Sequence, residues 1–256
     1  MGRFFLESAA IAEVELTKLL RDPTEMFSRA VQPVLWLAVF GQVLAHARGI
    51  ETGGIGYLAF ITPGILAQSV LFSAIFYGSA VIWERDLGVV HKLLASPALR
   101  SSLVFGKAVS AGFRGVVQAT VIYGLALVMH IPIQLSPFAI VAVLAAVLLG
   151  SGLFSTFSLI IACIVKTRER FMGIGQLLTM PLFFASNAIY PLELMPRWLR
   201  IVAQVNPLTY LVDALRALMI VGGESVRGYR TDFMVLFVVF SVLLMVAVRL
   251  YPTLVE

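Results

Sequence analysis

From residue 115 to residue 165 the chain runs for 51 consecutive positions without an Asp, Glu, Lys or Arg. Soluble helices and strands keep one face polar for water, and a run this long leaves no such face. A helix crossing the hydrocarbon of a bilayer needs about 20 apolar residues, so the run predicts two spans and the turn between them. The remainder of the chain agrees with that reading. Charged residues make up 13% of the 256 and hydrophobic ones 60%, where soluble domains carry roughly 25% charge, and mean hydropathy is +0.96.

The net charge of +5 does not point to nucleic acid, because the basic residues are scattered at the ends of apolar segments. They read as topology signals. The single cysteine, Cys163, falls inside an apolar run and reads as a small packing residue.

Charge-poor stretches and the turn residues between them place six spans at about residues 27–46, 57–82, 106–129, 137–164, 171–190 and 231–251. The link into the second opens on Gly53 and Gly54, and residues 130–137 make a Pro-containing turn between the third and fourth. The last charge-free run covers only residues 233–248, so Arg249 must snorkel for that span to reach across. Ahead of the spans, residues 4–20 hold Glu7, Glu13, Glu15 and Lys18, which excludes a cleavable signal peptide. At 100° per residue Phe4, Phe5, Ile11, Ala12, Leu16, Leu19 and Leu20 share one face, with Glu15 intruding on it. The pattern predicts an amphipathic helix on the membrane surface, ended by Arg21, Asp22 and Pro23. With the N-terminus cytoplasmic, 12 Lys and Arg lie inside and 6 outside, so the positive-inside rule puts both termini in the cytoplasm of a plasma-membrane protein. Arg114 belongs to neither set and is expected to snorkel to the inner surface.

The fold class that follows is all-α: one polytopic transmembrane domain over residues 1–256, with six helices, an interfacial helix at 1–24, a cytoplasmic segment at 83–105 and a re-entrant external segment at 191–230. In the cytoplasmic segment, Glu84, Arg85, Asp86 and Gly88 precede an apolar stripe of Val89, Val90, Leu93 and Leu94, broken by Lys92 and stopped by Ser96 and Pro97. Such a helix suits a groove on a soluble partner, or equally the bilayer surface. In the external segment, residues 201–212 are twelve without a charge, too short to span and suggestive of a helix that dips into the membrane and returns.

Residues 206–216, with Asn206, Pro207, Leu208, Tyr210, Asp213 and Arg216, resemble the signature near the C-terminus of ABC-2 type transporter permeases. Glu84, Arg85, Asp86, Leu87 and Gly88, followed by Leu93, Leu94, Ala95, Ser96 and Pro97, are similar to that family's cytoplasmic coupling segment, with Asp86 where many members carry Glu. The nearest likeness is to the daunorubicin-type drug-exporter branch. The resemblance implies a half-transporter that dimerises with a second permease copy, homologous or identical. It implies docking of a cytoplasmic ABC ATPase through the segment matching residues 84–97, with ATP and Mg bound by that partner, and export of cargo from the cytoplasm or inner leaflet. The residues agree that the engine is elsewhere: a phosphate-binding P-loop needs Gly-x-x-x-x-Gly-Lys-Ser/Thr, and Gly106-Lys107 is followed by Ala108 and lacks the earlier glycine.

Catalysis by this chain finds no footing. His46, His91 and His130 lie on separate loops with no metal-binding spacing, and Glu84 with Asp86 beside Arg85 suits protein contact better than acid-base work. An ion-coupled carrier would bury carboxylates at mid-membrane, and the spans carry Asp or Glu only near their ends. A scaffold without transport would have no use for a docking segment. Candidates for a translocation path are Gln68, Phe72, Phe76, Gln118, Phe183 and Phe184, each also explicable by helix packing or lipid contact. The cargo expected is a drug or lipid-like amphiphile, with polysaccharide or glycolipid as the alternative.

Overall fold

A computed structural model describes residues 2–21, 23–46, 54–165 and 167–254. Among them every extended element is a helix, apart from one antiparallel bridge between Ile133 and Ile220. The order is α1 Gly2–Arg21, α2 Pro23–Leu35, a π-helical stretch Trp36–Gly41, α3 Gln42–His46, α4 Tyr57–Asp86, α5 Val89–Ala95, α6 Arg100–Val128, α7 Pro137–Val165, α8 Arg168–Phe184, α9 Arg197–Val205, α10 Pro207–Met219 and α11 Tyr229–Leu250.

Local chemistry fixes the boundaries. Ser136 Oγ accepts the amide of Ala139 at 3.2 Å, and Pro137 opens α7 where its missing N–H costs nothing. Gly54 turns with φ of 87°, while Gly53 lies outside the described residues. Among the described residues, four helices are long and apolar enough to cross a membrane: α4, α6, α7 and the segment Tyr229–Leu254. The first and fifth stretches fall short of that measure. Residues 30–45 form a shorter apolar helix whose ladder is widened by the π stretch after Pro33, and α8 has 17 residues, ending at Phe184.

The core forms around α4, which packs against α6, α7, α8 and α10. Close approach depends on small residues. Any Cβ at Gly78 would run into Ser158 and Phe171, and the contact is locked because Ser158 Oγ takes the Gly78 amide at 3.1 Å and donates to Ile75 O. Cys163 is buried in a second cluster with Val90, Leu103, Tyr251 and Leu254, which ties residues 89–104 to the C-terminal turn.

Two ends result. One gathers α1, residues 84–99, Arg168 stacked 3.8 Å over the Trp83 ring, and the turn at Tyr251–Leu254. At the other, Gln134 N and Val221 N bond to Met219 O and Pro132 O, joining the turn before α7 to the segment after α10. The charge-free run 201–212 is not one helix, as its composition suggested: Asn206 and Pro207 break it between α9 and α10. α9 exposes Trp198, Ile201 and Val205, while α10 buries Leu208, Leu211, Val212 and Leu215 in the main core.

Candidate functional site

Residues 84–97 meet the rest of the chain more closely than their sequence suggested. Glu84 is held by Lys107 Nζ at 2.5 Å and Lys18 Nζ at 2.9 Å. Lys107 is 4% exposed, so this pair belongs to the fold. Glu15, the residue that interrupts the apolar stripe of α1, is buried because it meets Lys18 at 2.8 Å and Arg114 at 3.9 Å. Arg114 lies 4.7 Å from the centre of the Tyr77 ring. Protein thus surrounds Arg114, in place of the expected snorkelling to the surface, because two elements that are distant in sequence supply its carboxylate and its ring. Lys18 titrates above its ordinary range: burial works against its charge, but Glu15 and Glu84 more than offset that.

After Arg85 pairs with its neighbour Asp86 at 2.6 Å, Gly88 takes a left-handed turn with φ of 73°. That turn rotates α5 so that Val90 is fully buried and Leu93 and Leu94 pack half-buried on the same cluster. Val90, Leu93 and Leu94 of the apolar stripe therefore face the chain's own core, and Val89 turns outward. Ser96 Oγ donates to Leu93 O at 2.6 Å and Arg3 donates to Pro97 O. Glu7 accepts the Leu99 amide at 2.9 Å and the Ser102 hydroxyl at 2.8 Å. The Leu99 amide foremost, then Arg3 and Ser102, hold the Glu7 carboxyl below the usual carboxylate range. The outward face of the segment is Asp86, Leu87, Val89, His91, Lys92 and Pro97, with Leu87 68% exposed.

Of the six path candidates, Gln68, Phe72, Phe76 and Gln118 line one cavity of about 400 Å³ between α2, α4, α6 and α8. Phe183 and Phe184 do not; Phe183 is buried edge-on to Trp36 at 6.0 Å. Gln32, Ser73 and Met172 complete much of the wall. Through Ser73, Phe76 and Ser79 the cavity adjoins a second opening of about 320 Å³ lined by Glu15, Lys18, Glu84 and Arg114. A groove therefore runs from a neutral middle to a charged mouth beneath residues 84–97.

The residues of 206–216 act together at the opposite end. Asn206 Oδ1 caps α10 by accepting Leu208 N at 3.0 Å, and its Nδ2 donates to Leu182 O at 2.6 Å and Ala185 O at 3.2 Å. Fully buried Asp213 receives Asn187 Nδ2 at 2.5 Å and Arg216 Nη1 at 3.2 Å, while Arg216 Nη2 donates to Asn187 O at 2.8 Å and stacks 4.0 Å over Phe60. Leu208 is buried and Tyr210 donates to Gln204 O at 2.7 Å. Lys18, Lys107 and Asn187 were not singled out from sequence. A lysine at the mouth of an apolar run and an asparagine at the end of another are the signals that mark them, and both types need a partner when buried.

The family described as ABC-2 type transporter matches residues 8–220, which takes in both constellations. Among curated proteins the chain is 32% identical over 220 residues to ycf38 of Cyanophora paradoxa, named as a transport permease, covering 84% of this chain and 75% of that one. It is 23% identical over 198 residues to the daunorubicin resistance ABC transporter permease protein DrrB1 of Streptomyces coeruleorubidus, covering 77% and 69%. It is also 23% identical over 188 residues to the inner membrane transport permease YadH of Escherichia coli K12, covering 71% and 70%.

Proposed function

The chain belongs to the ABC-2 type transporter family as an integral membrane transport component, and on that premise we propose that it is the permease of an exporter whose ATP is hydrolysed by a separate subunit. The observation that carries the reading is the bracing of residues 84–97. Glu84, Lys107, Lys18 and the Glu7 contacts tie this segment to α1, α4 and α6, and its outer face stays open. A push on Leu87, Val89 or Lys92 from an ATPase would pass through those ion pairs into the walls of the groove. The N-terminal helix and residues 84–97 face the cytoplasm in this reading, two permease copies assemble, and six helices cross the bilayer. The cargo is a drug-like or lipid-like amphiphile taken from the cytoplasm or inner leaflet.

An ion-coupled carrier is disfavoured because, among the described residues, no carboxylate lines the 400 Å³ cavity. The test is co-purification of the full-length chain from its native membranes with an ABC ATPase. Leu87→Asp with Lys92→Glu lies on the exposed face and should reduce ATPase recovery at least tenfold and abolish ATP-dependent export. Retained association and transport would sink the docking assignment.

A further inference from the structure

The cavity between α2, α4, α6 and α8 carries unspent hydrogen-bonding capacity. Gln68 and Gln118 are 4% and 3% exposed, and the Oε1 of each has no partner inside the protein. Ser73, 5% exposed, likewise has an unpartnered Oγ. A buried polar atom left without a partner destabilises the fold, and the residues that carry these three all line one space. Helix packing does not account for them, since packing would satisfy them across an interface. A ligand would.

The wall also says which ligand. Gln32, Gln68, Gln118, Ser69, Ser73 and Ser79 are all neutral, and among the described residues no ionisable side chain lines this cavity, in contrast to the charged mouth next to it. A formal charge placed here would be desolvated without a counter-ion, which disfavours a charged ligand. A hydroxyl both donates and accepts, so it satisfies a carboxamide in either orientation of its final torsion. Phe72, Phe76 and Met172 supply an apolar flank. About 400 Å³ suits a small ligand or the head and first part of a larger one.

We propose that this cavity binds the uncharged, hydroxyl-bearing head of an amphiphile, with Gln68, Gln118 and Ser73 hydrogen-bonding the head and Phe72, Phe76 and Met172 covering its apolar part. The proposal rests on the export reading for the fate of the ligand, but binding itself does not require transport. Charged amphiphiles are admitted no further than the mouth at Glu15, Lys18 and Glu84.

The full-length chain in lipid nanodiscs is exposed to photoreactive alkyl probes that share one chain and differ in head: glucosyl, trimethylammonium or sulfate. Labelled peptides are mapped by mass spectrometry. The glucosyl probe should label α4 and α6 peptides saturably, at least tenfold above either charged probe, and octyl glucoside should compete. Gln68→Leu with Gln118→Leu should remove that saturable labelling, and because the lost oxygens had no partner the thermal midpoint should hold or rise. Ser73→Ala provides a milder variant with a two- to fivefold loss, and Gln68→Glu should shift preference toward the trimethylammonium head. Equal labelling by all three heads, undiminished labelling of the double variant, or chain-to-chain cross-links at Phe72 filling the cavity from a second copy would each overturn the site. If ATP-driven export of a glucosyl amphiphile proceeds undiminished in the double variant, the site fails and the export reading stands. If saturable labelling persists but no export occurs with the ATPase, the export reading fails and the site stands.

Discussion

Glu84 and Lys107 form a buried pair on which two roles converge. Removing one member of such a pair leaves an uncompensated charge, which costs about 3–5 kcal/mol, whereas replacing both with neutral groups of similar size is far less damaging. Lys107→Met should therefore lower unfolding stability in detergent by about 3 kcal/mol, with Lys18 offsetting part of the loss, and adding Glu84→Gln should restore most of it. If the double variant is no more stable than the single one, the pair is not what holds the segment. Asn206 offers a second dissection. Asn206→Ala loses the cap and both donated bonds, so a loss of about 2 kcal/mol is expected, while Asn206→Asp keeps the cap and loses only the bonds to Leu182 O and Ala185 O. The aspartate variant should lie between wild type and alanine in thermal unfolding. Both motifs were visible in the sequence as types of residue at a spacing. Their partners were not, because Lys107 is 23 residues from Glu84 and Asn187 is 26 from Asp213, and no local pattern announces such a pairing.

At the level of elements, α7 was legible almost to the residue and the apolar middles of α4 and α6 were legible too, although α6 starts six residues before the expected 106 and α4 runs four past 82, since desolvation of 18 or more apolar positions leaves a helix no alternative. The orientation of short helices was not. Periodicity gives α5 an apolar face but does not say toward what, and the turn at Gly88 directs it inward. The same limit applies to α1, whose Glu15 broke the expected stripe because the helix docks on cationic neighbours instead of lying wholly on lipid. That docking has a pH signature. The Glu7 carboxyl is depressed by the Leu99 amide, Arg3 and Ser102, so its contribution is fully present above the ordinary carboxylate range and disappears as pH falls through the lowered folded value. Acidification from pH 7 should release α1 from residues 97–102, seen as increased proteolysis between α1 and α2, and Glu7→Gln should show that release already at pH 7 with little further change on acidification. Proteolysis independent of pH in wild type would show that Glu7 does not hold the helix.

For the whole molecule, the proposed reading has the chain pass between its two ends six times, through α2–α3, α4, α6, α7, α8 and α11. Four of these passages have the length and apolarity of a span. α8, with 17 residues, is about 26 Å long at 1.5 Å per residue, just under the roughly 30 Å of bilayer hydrocarbon, and residues 185–190 extend it toward the Asn187 cluster. Because the passages alternate, the sidedness of one end fixes the other. In that reading the charge count puts α1, Lys92 and Arg168 on the cytoplasmic side, and residues 134 and 225 then face outward. With Cys163→Ser removing the native thiol, single cysteines introduced as Lys92→Cys and Ser225→Cys should react with a membrane-impermeant maleimide from opposite sides of sealed vesicles. Should α8 turn back within the bilayer, only α6 and α7 would cross between Lys92 and Ser225 and the two sites would share a side; the number of true crossings between Lys92 and Ser225 must be odd for the groove to connect a cytoplasmic mouth to an external exit. Labelling of both from the same face would thus remove the six-span export reading even though every helix stayed where it is.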